Sequence, residues 1–254
     1  SLNGRNAWVQ RKEIVEAIIS ARQLLAENHA EEALKTLHSV TPVRYSATKE
    51  LLYLERAKAA SAAGKHKEAY DSLLNYYAAE PMDVLMEYLL KYAPKLNKTA
   101  KDIHNDVWAI RKAGSKPATV FSLENYLTPG RTSLADLKGK VVLVTYWFPG
   151  CGPCRGEFPH FENVVRKFSK DQLAYIGINM VHEQDPYVVP FMKQSGYSFI
   201  PVRDEEDKRG NLVARGAPTN YLIDKNGNIV FSNFRTDRDN ERTLELMISE
   251  LLDK

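Results

Sequence analysis

Hydrophobic positions change their rhythm part way along the chain. From residue 1 to about 115, apolar residues recur at helical spacing within Ala-, Leu-, Glu- and Lys-rich sequence, which predicts a run of helices. From about 117 onward, short β-branched runs alternate with amphipathic segments, the pattern of an α/β region. The change falls at RKAGSKPA (Arg111–Ala118), where Gly114 stops a helix and Pro117 stands just beyond it. Two domains are therefore expected, residues 1–115 and 116–254.

In the second domain, TVFSLENY and TSLADLKGK predict a leading hairpin. VVLVTYW (Val141–Trp147) is a near-continuous apolar run, as a strand buried on both faces requires. A helix is expected from the following CGPC to about Phe168, then a strand over LAYIGINM (Leu173–Met180) and a helix over Pro186–Gly196. FIPV reads as a short edge strand. TNYLID and NIVFSNF flank Lys225-Asn226-Gly227, and Asn-Gly between such runs is a strong hairpin signal. RDNERTLELMISELLDK closes as an amphipathic helix. The β-α-β-α-β-β-α order is that of the thioredoxin fold, so the fold class is α/β thioredoxin preceded by an all-α helical-repeat domain.

The helical half carries a weak internal repeat. AEEALKTLHSVTP (Ala30–Pro42) echoes HKEAYDSLLNYYAAEP (His66–Pro81), with Ala33 and Ala69 36 positions apart, near the ~34-residue period of helix-turn-helix arrays. Tyr53, Ala57, Ala60, Gly64, Ala69, Leu73, Tyr76 and Pro81 fall in a pattern that resembles a tetratricopeptide repeat. Small residues let two helices approach closely, Gly64 turns between them and Pro81 ends the second. The first copy departs from the pattern, with Asn28 at the turn and a shorter second helix. A third pair, about Asp83–Tyr92 and Thr99–Ala113, completes a small bundle. Its use is either a concave surface for a protein partner or a packing and self-association module. Tyr76, Tyr77, Tyr88 and Tyr92 could line a groove, but at this spacing they read first as core.

Composition narrows the function classes. With 44% hydrophobic and 26% charged residues the chain is globular, and a formal net charge of +3 gives no case for nucleic acid. No apolar run approaches the ~18 residues of a membrane span. The chain has two cysteines, Cys151 and Cys154. That is too few for a disulfide-stapled framework or a closed zinc site made of thiolates. What remains is a redox pair, or a site completed by histidines.

The position of the pair favours redox chemistry. A cysteine is nucleophilic as its thiolate, and unpaired N–H groups at a helix start favour that anion. A buried strand running straight into CGPC sets Cys151 at such a start, at the carboxyl end of the strand where open-sheet sites lie. Cys154, one turn on, faces the same side and can resolve a mixed disulfide formed on Cys151.

LADLKGKVVLVTYWFPGCGPCRGEFP and GAPTNYLIDKNGNIV together resemble the TlpA/ResA-like extracytoplasmic thiol–disulfide oxidoreductases of the thioredoxin superfamily, over about Thr119–Lys254. The resemblance implies Cys151 and Cys154 as the redox pair. It makes Pro159 the proline that kinks the active-site helix and Pro218 the cis-proline facing the cysteines. Trp147, Gly152, Pro153, Ala217 and Pro218 become the expected substrate contacts. Thioredoxin carries a buried aspartate six positions before its first cysteine, where this chain has Thr145. Glu157, three after Cys154, matches the glutamate of ResA-like proteins and is the candidate proton carrier. Gly150 stands where many relatives have tryptophan, so a flatter rim beside Cys151 is expected.

His160 and His182 raise a metal reading, but copper-carrying relatives use CxxxC, and both read better as surface histidines. HEQD (His182–Asp185) is a candidate part of the substrate rim. Phe148, rather than threonine, three residues before Cys151 argues against a peroxiredoxin. The leading expectation is a reductase of protein disulfides with no cofactor and no metal, served by an upstream thiol reductant. The alternatives are a helical-repeat adaptor whose redox domain senses or docks, and an oxidase or isomerase of the same fold. The resemblance implies an extracytoplasmic location, periplasmic or membrane-anchored through a removed N-terminal segment.

Overall fold

The computed structural model describes residues 2–43, 46–205 and 210–253. Its contacts divide the chain into two compact units, Ser1–Arg111 and Lys112–Lys254. The division lies within the last turn of a helix, slightly ahead of the break read from Gly114 and Pro117.

The first unit is all helical: α1 (Leu2–Ala26), α2 (Ala30–His38), α3 (Ala47–Ala62), α4 (His66–Ala79), α5 (Asp83–Tyr92) and α6 (Ala100–Gly114). Consecutive helices from α1 to α5 pack on one another. The turn after α1 is closed by Asn28, the turn after α3 by Gly64, and the 3₁₀ turn before α6 by Asn97, each with positive φ. Each turn has the same pair of bonds: His29 N–H to the Leu24 carbonyl, Lys65 to Ala60, and Lys98 to Ala93, each enclosing a second bond that spans three residues. This is the Schellman closure, which needs a left-handed residue; Asn supplies it almost as well as Gly. The departure at Asn28 therefore leaves the geometry of the repeat intact. Ala33, Ala57, Ala60 and Ala69 are buried where helices meet. Tyr76, Tyr77 and Tyr92 belong to the core and Tyr88 packs against it, so the tyrosines form core rather than a groove lining.

Glu55 is the deeply buried acid of this unit, 2% exposed. Arg22 of α1 reaches it at 2.8 Å and Lys58 at 3.0 Å. Burial pushes its pKa up, but the bonds to Arg22 and Lys58 outweigh that and leave it below its usual range.

The second unit opens with β1 (Lys116–Pro117) and an antiparallel ribbon of β2 (Ser122–Glu124) and β3 (Arg131–Ser133), the leading hairpin expected from the sequence. Then follow β4 (Val141–Trp147), α7 (Gly152–Val165), β5 (Leu173–Asn179), α8 (Asp185–Ser195), β6 (Ile200–Arg203), β7 (Thr219–Ile223), β8 (Asn228–Ser232) and α9 (Glu241–Leu252). Lys254, included in the expected closing helix, lies outside the described residues. The sheet order is β1-β8-β7-β4-β5-β6, with β4, β5 and β6 parallel and β7 and β8 antiparallel. This is a thioredoxin-like mixed sheet flanked by helices. β6 is an edge strand, and Gly227 (φ 86°) makes the β7–β8 turn.

Strand alternation gives β4 two separate jobs. Val142, Val144 and Tyr146 pack on one face with Phe121, Leu123 and Leu212. Thr145 and Trp147 face the other way, where α7 and α9 pack on each other. Around Trp147 lie Phe158, Phe191 and Phe199, with ring centroids 5.6, 5.0 and 5.0 Å away. Gly177 makes room for this cluster: a Cβ there would lie 2.5 Å from the Phe199 ring and 2.9 Å from Trp147 Nε1.

Candidate active site

β4 is buried at every position and ends at Trp147; after the four residues 148–151 the chain enters α7 at Gly152. Cys151 is the residue before that helix, and its Sγ accepts the Cys154 N–H at 3.2 Å. The two cysteines are joined in a disulfide, with Cα atoms 5.3 Å apart. The sulfur thus caps a helix start, where amide dipoles favour negative charge. Cys154 is fully buried and Cys151 nearly so, while Gly152 and Pro153 are exposed between them. The Gly-Pro pair is therefore the solvent-facing side of the disulfide loop.

The Ala217–Pro218 bond is cis. Thr219, the next residue, pairs with Tyr146 in the β4–β7 register. Pro218 therefore stands at the end of the sheet from which β4 delivers the cysteines. Ala217 is partly exposed and Pro218 is buried. Trp147 behaves differently. It is 0% exposed inside the aromatic cluster, so its expected role as a substrate contact does not fit the structure. The strand that ends beside the site must be buried on both faces, and its last side chain is spent on packing.

Glu157 lies one turn after Cys154 on α7, and residues three apart on a helix share a face. It is 6% exposed. Asn220 Nδ2 donates to its Oε2 at 3.0 Å, the Thr236 N–H donates to its Oε1 at 3.2 Å, and Arg235 Nη1 stands 3.7 Å from Oε2. Burial raises its pKa above the usual carboxylate range, and Asn220, Arg235 and Thr236 only partly offset that. Burial thus favours the neutral form of this carboxyl more than its partners favour the charged form.

Asn220 was not among the expected site residues. It is fully buried on β7 directly across from Thr145, and its Nδ2 also donates to the Phe234 carbonyl at 3.0 Å. A signal was present, since Asn breaks an otherwise apolar strand, TNYLI, on the face shared with Leu222. Nothing in the sequence said which acid it would meet. Thr236 and Arg235 act on Glu157 from 79 and 78 positions away, through a loop with no distinguishing pattern.

On the other flank, the Gly150 N–H donates to Gln184 Oε1 at 2.7 Å. A Cβ at Gly150 would meet that side chain at 3.1 Å, so Gln184 of the HEQD stretch occupies the space beside the loop. His182 lies 3.7 Å from Asp185, and His160 bonds Glu241 at 2.6 Å. Both histidines thus face carboxylates. Among the described residues no three His, Cys, Asp or Glu side chains gather as a metal site, and no helix is long and apolar enough to cross a membrane.

The Redoxin family model matches residues 112–248, more than half of the chain. Thiol-disulfide oxidoreductase ResA of Bacillus subtilis (strain 168) is 36% identical over 134 residues, covering 50% of this chain and 72% of that protein. ResA of Geobacillus kaustophilus (strain HTA426) is 33% identical over 115 residues, covering 44% and 66%. A solved thiol:disulfide interchange protein of the thioredoxin family from Chlorobium tepidum TLS aligns at a TM-score of 0.46 with 26% identity, covering 54% of this chain and 96% of that one. The family match over the unit that holds the cysteines agrees with the order of its strands and helices: the chain belongs to the Redoxin family and is a ResA-like member of the thioredoxin superfamily.

Proposed function

We propose that this thiol–disulfide oxidoreductase works as a reductase of protein disulfides. The observation that carries the reading is the Cys151–Cys154 pair at the start of α7, with the Cys151 sulfur accepting an amide N–H of that helix. In the reduced protein, the Cys151 thiolate attacks one sulfur of the substrate disulfide. An intermolecular disulfide forms and one substrate thiolate leaves. Cys154, losing its proton, then attacks Cys151 Sγ; the Cys151–Cys154 disulfide forms and the second substrate thiolate leaves. Two electrons have passed to the substrate. An upstream thiol reductant returns the pair to the dithiol.

Glu157 accepts the Cys154 proton in this scheme. Its position on the same helix face and its raised pKa support that role. Gly152, Pro153, Ala217 and Pro218 form the surface against which the substrate lies. Gly152 and Pro153 add no cationic side chain beside Cys151, which leaves its thiolate less stabilised and the couple more reducing. The helical unit, read as tetratricopeptide-like, holds a protein partner or a second copy of the chain. An extracytoplasmic location fits the ResA likeness.

A redox titration tests direction. The expected potential lies nearer the thioredoxin end, about −270 mV, than the strong-oxidant end, about −120 mV. A value close to the latter would make the protein an oxidase. Reduction of insulin disulfides with dithiothreitol as donor tests the activity itself.

A further inference from the structure

A cleft of about 640 Å³ opens at the cis-proline loop, with Val213, Arg215, Ala217, Pro218, Asn233 and Arg235 among its walls. Its charge is one-sided. Two guanidinium groups line it, and among the described residues no carboxylate does. Arg215 is exposed and makes no ion pair with any described residue. Arg235 reaches back toward Glu157 at 3.7 Å, too far for a hydrogen bond, and its Nη1 is buried without a hydrogen-bond partner among the described residues.

The wall that carries Arg215 is fixed in place. Exposure alternates along it: Leu212 and Ala214 are buried, whereas Val213 and Arg215 point outward. Tyr146 Oη donates to the Leu212 carbonyl at 2.6 Å and Tyr221 Oη donates to the Val213 carbonyl at 2.5 Å. Tyr146 rises from β4, which leads to the cysteines, and Tyr221 from β7, which follows Pro218. These bonds hold the backbone just before Arg215, so the base of its side chain is placed at the cleft wall before a ligand arrives. Arg suits a carboxylate better than Lys because its planar fork can bond both oxygens.

We propose that this cleft receives a carboxylate side chain of the disulfide substrate, an Asp or Glu near the target cysteine, and that Arg215 determines this preference. The proposal rests on the reductase reading and names its substrate class: an extended acidic peptide segment carrying the disulfide. Arg215 stands three residues before Pro218. Because Pro218 stands at the end of the sheet from which β4 leads to Cys151, the acid is expected within a few residues of the cysteine that meets Cys151, and the offsets from one to five are scanned.

The test uses the full chain and peptides that each contain one disulfide, with Asp, Asn or Lys at these offsets on either side of it. Dithiothreitol is the donor and kcat/KM is read at low and high salt. The Asp peptide should be preferred over the Asn peptide by roughly three- to tenfold at low salt on one side of the disulfide, with Lys below Asn. High salt should bring the ratios toward one. Arg215→Gln should collapse the Asp/Asn ratio toward one, and Arg215→Glu should favour the Lys peptide. Equal wild-type rates for Asp and Asn peptides, or a preference unchanged by Arg215→Gln, would overturn the proposal. Binding of the same peptides to a Cys151→Ser/Cys154→Ser protein reads the cleft without turnover. Failure to reduce any peptide while that protein still prefers Asp would sink the reductase reading and leave the cleft; equal binding would sink the cleft alone.

Discussion

Among the buried glutamates, Glu55 of the helical unit and Glu157 of the α/β unit are held in opposite ways. Glu55 in the helical unit is 2% exposed and Glu157 in the α/β unit 6%. Both pay for lost hydration. Glu55 meets two cations at 2.8 and 3.0 Å, and its pKa falls below the usual range. Glu157 meets an amide, a backbone N–H and an arginine at 3.7 Å, and its pKa rises. Full charge pairing locks an acid in its ionised form and ties α1 to α3. Partial compensation leaves an acid whose neutral form is favoured, on the helix face it shares with Cys154. Burial alone distinguishes nothing here; the partners decide whether the pKa falls or rises.

The sharpest contrast between the units is chemical. Cys151→Ser should abolish insulin reduction, and Cys154→Ser should accumulate mixed disulfides through Cys151, visible on non-reducing gels. Equal rates for wild type and Cys151→Ser would place the activity elsewhere and remove the contrast. Glu157→Gln comes next, with kcat/KM at neutral pH expected to fall on the order of 10- to 100-fold. In wild type the rate should rise with pH as Glu157 loses its proton, through a value above 4.5, and this limb should vanish in the variant. An unchanged pH profile would return Glu157 to a packing role.

Stability should separate the two acids by the sign of their pH dependence. Glu55 has a lowered folded pKa, so its contribution is complete above its ordinary value near 4.5 and fades as pH falls through the folded value. Glu157 has a raised folded pKa, so its contribution is present below 4.5 and is lost as pH rises through the folded value. Denaturant melts of wild type, Glu55→Gln and Glu157→Gln from acid to neutral pH should show these opposite slopes disappear one at a time. Arg22→Gln should cost about 1–2 kcal/mol at neutral pH, since Lys58 remains on Glu55 and Arg22 is itself half exposed. A loss that does not shrink in acid would detach Arg22 from the Glu55 charge. The smallest effect is expected from removing the helical unit. Residues 117–254 should fold and reduce a small disulfide within about twofold of the full chain, because their strands share a core of their own. A truncated chain that stays unfolded would end the comparison of two independent units.

Local pattern made the redox pair legible. A β-branched run long enough to be a buried strand, followed at once by CGPC, leaves little choice about where the cysteines go. The Asn-Gly turn was equally plain, as were the helix pairs, because those signals lie within a few residues of one another. Asn28 showed where such reading is too strict: it breaks a glycine pattern while satisfying the same left-handed turn. Trp147 showed where resemblance misleads, since the side chain that ends β4 is taken up by Phe158, Phe191 and Phe199 rather than by substrate.

The sequence by itself determined the order of strands and helices, the helix start under Cys151 and the acid one turn after Cys154. Those follow from periodicity, turn residues and i,i+3 spacing, all of which act over short distances along the chain. Only the tertiary structure decided that Glu157 would meet Asn220, Arg235 and Thr236, that Gln184 would fill the space at Gly150, and that Arg215 and Arg235 would share one cleft. Desolvation and the approach of charges depend on distance in space, and residues 63 to 79 positions apart become neighbours only once the sheet register and the packing of its helices are set.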